Sequence, residues 1–160
     1  MESPQNLLNQ SIKEAKISEY IVSITNKLIK DKKIMVSILS HLKKSFMLAI
    51  NGFLINEKIK GNMKNVFSDE SLILNYFFEN YAKKLNVDIE LKSVFFKVLK
   101  SMNAYDSRGI ILEKNNNYVF ITNDYELLPF SFDEIKKFIK ITLDFSKKIE
   151  NEIIEKKLVS

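Results

Sequence analysis

The sequence predicts a mainly α protein, an up-and-down bundle of about five helices with a small β-hairpin before the last helix. Three observations carry that prediction. Along Lys33–Glu57, Met35, Leu39, Leu42, Phe46, Ala49 and Phe53 recur at alternating spacings of four and three, which keeps them on one face of an α-helix. Between Gly109 and Thr122 the period changes, and two β-rich runs flank an asparagine cluster. After Pro129, Phe130-Ser-Phe-Asp-Glu-Ile restarts a helical pattern.

The first of these stretches organises the rest. Ile34, Ile38, Leu48 and Ile55 widen its apolar face, and Val36, Met47, Ile50 and Leu54 add to the flanks. A helix this apolar has to be wrapped by others, so it is expected at the centre of the bundle. His41, Lys43 and Lys44 interrupt it, and no run approaches the roughly 20 apolar residues a membrane span needs.

The remaining elements follow in order. Ser3-Pro4 opens a first helix expected to run to about Ile29, since Ser caps well and Pro is tolerated at the first helical position. Leu8, Ile12, Ala15, Val22 and Ile29 form one stripe on it, and Ile17, Ile21, Ile24 and Leu28 another. Asp31 caps the central helix after a short turn, making the first two helices an antiparallel hairpin. Asn56–Phe67 reads as a loop around Gly61. Ser68 is the expected cap of a third helix, with Phe67 stapled onto Leu72 and Asn86 as its breaker. Asp88 caps a fourth, with Leu91, Val94, Phe95, Val98, Leu99 and Met102 inward. Gly109-Ile-Ile-Leu-Glu and Tyr118-Val-Phe-Ile-Thr form the hairpin, with Ile111 and Phe120 on the bundle side. Pro129 ends the strand region. Ser131 and Glu134 form a capping box, Phe130 staples onto Ile135, and Ile135, Phe138, Thr142, Phe145 and Ile149 line the last helix.

Composition bounds the function. A chain of 160 residues and 18.7 kDa fits one domain, residues 1–160. The absence of cysteine excludes disulfides, zinc ribbons and thiol catalysis. The start Met1–Gln10 lacks a basic segment followed by an apolar run, so a cytoplasmic protein is expected. The net charge of +5 and pI of about 9.2 allow attraction to RNA or another polyanion. Yet the basic residues are almost all lysine, and Arg108 is the single arginine. Arginine is the residue of choice for bidentate phosphate recognition, and an Ile-, Lys- and Asn-rich, Arg-poor chain is also what an AT-rich genome encodes.

Two residues stand out as candidates for chemistry. His41, the single histidine, lies along the edge of the apolar face with Ser37 and Ser45 one turn to either side. A general base needs a nucleophile or substrate proton within hydrogen-bond reach, and the competing role is a half-buried histidine bonded to a carbonyl or serine. Arg108 sits where the fourth helix gives way to the hairpin. It can bind a phosphate or carboxylate, pair with Asp106, or cover helix ends. With one His and no Cys, no metal site is predicted, although Asp106, Asp124 and Glu126 can approach one another around the hairpin. Gly occurs only at 52, 61 and 109, so a glycine-rich phosphate loop is excluded and no cofactor is expected. Lys43-Lys44 and Lys136-Lys137 read as solvated faces.

The segment Ile29-Lys-Asp-Lys-Lys-Ile-Met-Val-Ser-Ile-Leu-Ser-His-Leu-Lys-Lys-Ser-Phe-Met-Leu-Ala-Ile-Asn-Gly-Phe-Leu resembles the second-helix signature of small archaeal helical proteins akin to the HEPN superfamily. So does Ser107-Arg-Gly-Ile-Ile-Leu-Glu-Lys with Tyr118-Val-Phe-Ile, followed by Phe130-Ser-Phe-Asp-Glu-Ile and a long last helix. The resemblance spans about Ala15 to Ile149 and rests mostly on apolar spacing. HEPN nucleases carry an Arg followed four to six residues on by a His. Here Arg108 has no such histidine and His41 no such arginine, so ribonuclease activity does not carry over. The resemblance implies a helical bundle, frequent dimerisation, and a non-catalytic or RNA-associated role. The expected function is therefore non-enzymatic association, as a homodimer or with a protein partner and not at a membrane. The alternative is an RNA-binding or degenerate nuclease-like protein using lysine patches with Arg108 and His41.

Overall fold

In a computed structural model, residues 2–25, 31–64, 67–114 and 117–159 are described, the last five of these by their backbone. The chain runs α1 (Pro4–Thr25), α2 (Lys32–Ile59), α3 (Glu70–Asn80), α4 (Ile89–Arg108), β1 (Ile111–Lys114), β2 (Asn117–Ile121), β3 (Leu127–Phe130) and α5 (Phe132–Val159). The expected end of the first helix near Ile29 lies outside the described residues, as do Asn115 and Asn116 of the hairpin turn.

The central helix is where its spacing puts it. Met35, Leu39, Leu42, Phe46, Ala49 and Phe53 of α2 are all buried, and α2 packs against each of the other four helices. Asp31 caps it by accepting from the Lys33 N–H at 2.9 Å. The tightest contact is with α1, where small and polar residues let the backbones approach. The Ser11 hydroxyl donates to the Ser45 carbonyl at 2.6 Å and the Ser45 hydroxyl donates back to the Ser11 carbonyl at 2.7 Å. Ser18 donates to the Ile38 carbonyl at 2.9 Å, and a Cβ on Gly52 would collide with Leu8 Cδ2. Ser146 of α5 joins the cluster at 2.7 Å from Ser11 Oγ. Aromatic rings fill the opposite side of α2. Phe46 stacks on Phe95 with centroids 4.2 Å apart, and Phe53 and Phe145 meet Phe77 edge-on.

Several boundaries differ from expectation. α2 continues through Asn56 to Ile59 because Asn56 and Glu57 are buried by the fold, and Gly61 turns the chain with φ of +79°. Asp69, not Ser68, caps α3: its carboxylate accepts from the Leu72 N–H at 3.0 Å. Leu72 is exposed, so Phe67 packs on Tyr76 instead of stapling onto it. α3 ends at Asn80, before a series of turns that closes at the left-handed Asn86 (φ +55°). Only half of the Ser131/Glu134 box forms. The Glu134 N–H reaches Ser131 Oγ at 3.1 Å, while its carboxylate turns to Lys97 at 2.6 Å.

The β-region is larger than a hairpin. It is a three-stranded antiparallel sheet, order β1-β2-β3, and Pro129 lies inside β3 rather than ending the strands. An edge strand tolerates proline because its missing N–H faces away from the ladder. The inner face, Ile111, Tyr118, Phe120, Leu128 and Phe130, is buried against the bundle, with β2 on α4.

Candidate functional site

His41 and Arg108 are placed in separate neighbourhoods. His41 lies mid-way along α2 and its Nδ1 is 2.5 Å from Glu14 Oε2 on α1. Lys44, one turn on, reaches the other oxygen of the same carboxylate at 3.2 Å. Burial pushes the Glu14 carboxyl up, but the hydrogen bonds and charges of His41 and Lys44 outweigh it and hold the carboxyl below its ordinary range. A carboxylate on Nδ1 is how a catalytic histidine is oriented, so the pair alone is suggestive. The third member is missing. Ser45 is committed to the α1 seam, and among the described hydrogen bonds of the His41 ring Glu14 is the one partner. The group ties α1 to α2.

Arg108 ends α4, where Gly109 caps the helix in the left-handed conformation with φ of +66°. Its partner is not Asp106. Nε donates to Asn123 Oδ1 at 2.9 Å, and the guanidinium lies 5.3 Å from the Tyr125 ring centroid. Tyr125 is 76% exposed and has φ of +63°, an uncommon conformation for a bulky residue. No contact joins this corner to His41 among the described residues.

Lys44, Lys136 and Lys137 are exposed, as expected of solvated faces, and Lys43 is half-buried. Lys43 meets Glu70 at 3.0 Å, Lys137 meets Glu90 at 3.2 Å, and Lys136 lies over the Phe132 ring. Of the three acids near the hairpin, Glu126 faces Lys100 at 3.9 Å. No group of three or more metal-ligating side chains occurs among the described residues. The grooves are open and shallow in chemistry. One of about 380 Å³ runs between α1 and α5, lined by Glu19, Val22, Phe132, Lys136 and Ile139.

Glu57 and Tyr81 are two buried ionisable residues. Glu57 accepts from Asn62 Nδ2 at 2.9 Å. Tyr81 is pushed up to about 12 by burial first, then by its hydrogen bond and charge interaction with Tyr76 and by the charge of Glu57. Spacing along the chain gives neither residue a chemical role.

Sequence reasoning also misses the outward face of the sheet. Leu112 pairs with Val119 and Val119 with Pro129, while Ile121 pairs with Leu127. These residues alternate with the buried ones, so they point away from the bundle. Ile110 is 45% exposed, Leu112 48% and Leu127 60%. The result is two apolar cross-strand rows on a surface where an antiparallel sheet ordinarily carries polar residues. A signal for it exists in the sequence, since both β-runs are apolar on successive residues rather than alternating.

The chain matches no known family model, no curated protein and no solved structure. No helix is long and apolar enough to cross a membrane among the described residues.

Proposed function

We propose that the chain is a non-enzymatic association module, a HEPN-like helical bundle that works in the cytoplasm by self-association or by binding a protein partner. The observation that supports this best is the apolar outer face of the sheet. Ile110, Leu112 and Leu127 are turned to water with the half-buried Ile121 among them, and an apolar patch beside charged residues marks an interaction surface. The engaged states of His41 and Arg108 support the non-enzymatic half, because neither presents a nucleophile–base pair. The test is the mass in solution by sedimentation equilibrium. The wild-type chain is expected to self-associate, and Leu127→Asp to weaken that association while leaving the helical circular dichroism unchanged. A wild-type chain that stays monomeric at about 100 µM, far weaker than the micromolar range of ordinary interfaces, overturns the homodimer.

One observation favours RNA as a second reading. Lys13 and Lys16 lie along the same groove of α1 as Tyr20, which is 65% exposed, so a base-stacking residue has two cations on its N-terminal side with no acidic partner among the described ion pairs. Under this reading RNA affinity falls steeply with salt and drops on Tyr20→Ala. Salt-independent or absent binding removes it.

A further inference from the structure

We propose that the partner of the sheet is a second copy of this chain, joined edge to edge through β1, so that two three-stranded sheets become one six-stranded sheet with Leu112 on the two-fold axis. This rests on the association reading above and names its geometry.

The two edges of the sheet are not equivalent. The Thr122 N–H donates to the Glu126 carbonyl at 3.0 Å, which fixes the direction of every backbone group in β2. Backbone groups alternate sides along a strand, so Phe120 and Tyr118 bond to β3, while Val119 and Asn117 bond to β1. Pro129, opposite Val119, therefore turns its backbone to the outer edge. It has no N–H to offer there, and its carbonyl already accepts from Lys97 Nζ. Leu127 has its N–H and carbonyl on that edge too, but a strand added there would meet the proline, one of the ways edge strands are ordinarily blunted.

The β1 edge is open. Leu112 and Lys114 face Val119 and Asn117 and spend their backbone groups on β2. Ile111 and Glu113 then turn an N–H and a carbonyl each away from the sheet. No backbone or side-chain group bonds to these four among the described residues. Such an edge is a template for another strand.

The sequence of β1 suits its own copy. For two antiparallel β1 strands to exchange bonds, outward-turned residues must face each other. An axis at Glu113 sets two carboxylates directly opposite, which is unfavourable. An axis at Ile111 calls on Gly109, which caps α4 in the left-handed conformation. An axis at Leu112 pairs Ile111 with the partner's Glu113, and Glu113 with the partner's Ile111. It uses all four outward groups of each chain and keeps like charges apart. It also sets Leu112 against the partner's Leu112 on the outer face, so the apolar rows run unbroken from one sheet into the next.

The absence of native cysteine makes this testable. Leu112 faces its counterpart as a non-hydrogen-bonded pair, whose Cβ atoms approach to about 4.5–5.5 Å, close to disulfide reach. In a glutathione redox buffer, Leu112→Cys is expected to give a covalent dimer at least tenfold faster than Leu127→Cys, which lies on the same face beside the edge that Pro129 blunts. Adding Glu113→Pro to Leu112→Cys removes an N–H that makes no bond within the chain, and is expected to slow cross-linking at least tenfold with the thermal midpoint unchanged. If Leu127→Cys cross-links as fast as Leu112→Cys, or Glu113→Pro has no effect, the copies meet face to face and the edge proposal falls while self-association stands. If neither variant cross-links and the wild-type chain sediments as a monomer, both fall. A covalent dimer formed only when a second protein is added also overturns it.

Discussion

The α1–α2 seam and the three-stranded sheet both bring backbones close together, and they leave opposite remainders. At the seam the polar groups are used internally. Ser11 and Ser45 exchange hydroxyl-to-carbonyl bonds, Ser18 bonds the Ile38 carbonyl, and Gly52 lies under Leu8. The sheet buries its inner face on the bundle and is blunted by Pro129 at its β3 edge, but keeps an apolar outer face and bare backbone groups along β1. Burial that is completed within the chain yields stability, and burial left unfinished yields an interface. The two regions should therefore respond differently to mutation, the seam in stability and the outer sheet in association.

The largest effect is expected where the sheet itself is finished. Phe120 is fully buried and meets Phe130 edge-on with centroids 5.6 Å apart. Phe120→Ala should cost about 3–5 kcal/mol of unfolding free energy in a denaturant titration. A cost below about 1 kcal/mol would mean the sheet does not share the bundle's core. Next comes the seam. Gly52→Val puts a branched side chain where Leu7 Cβ and the Pro4 carbonyl stand 3.3 Å from the Cβ position, and Leu8 stands closer. Overpacking of this kind costs about 1–3 kcal/mol, against which the roughly 0.5 kcal/mol gained in helix propensity over glycine is small. The α1–α2 spacing predicts a net loss, and an unchanged midpoint would show that the helices separate easily.

A smaller, pH-dependent effect is expected at the exposed margin of the same seam. Glu14 has its folded-state pKa lowered below the ordinary 4.5. A carboxyl depressed by folding contributes stability above its unfolded pKa and loses it as pH falls through the folded value. Glu14→Gln should therefore cost about 1 kcal/mol near neutrality, with the difference from wild type shrinking below pH 4.5. A difference that persists undiminished at lower pH would assign the loss to packing rather than to the charged pair with His41 and Lys44.

Much of the seam is legible in the sequence and most of the sheet's significance is not. The four-three spacing of Met35 to Phe53 locates the central helix, because helical burial repeats with the helical turn. An antiparallel helical hairpin also carries its own register. Its partners mirror about the point midway between Thr25 and Asp31: Ser11 meets Ser45, Ser18 meets Ile38, and Glu14 nearly meets His41. The same reflection leads from His41 to Glu14. The cap at Asp69 cannot be told from one at Ser68 by residue type, since both accept helix N–H groups well. Pro129 sits inside a strand because a proline ends one only where its N–H is needed, and strand position within a sheet is a tertiary fact. Arg108 finds Asn123 and Tyr125 across a turn whose left-handed residue no local pattern announces.

The smallest effect separates the two faces of the sheet at a single residue pair. Tyr118 stands opposite Glu113 in the β1–β2 ladder, with its side chain inward and its hydroxyl buried without a hydrogen-bond partner among the described residues. Burial pushes the phenol's pKa up, and the charges of Glu113 and Asp31 add to the shift. A desolvated, unpaired hydroxyl is a cost carried by the folded chain. Tyr118→Phe should thus raise unfolding free energy by about 0.5–1 kcal/mol and leave the sedimentation behaviour as it was, since the change is made on the face that the bundle covers. A destabilised Tyr118→Phe variant would reveal a partner for the hydroxyl. A stabilised variant with altered self-association would show that the inner face and the β1 edge are coupled through this ladder pair, and the division between the two regions would have to be redrawn there.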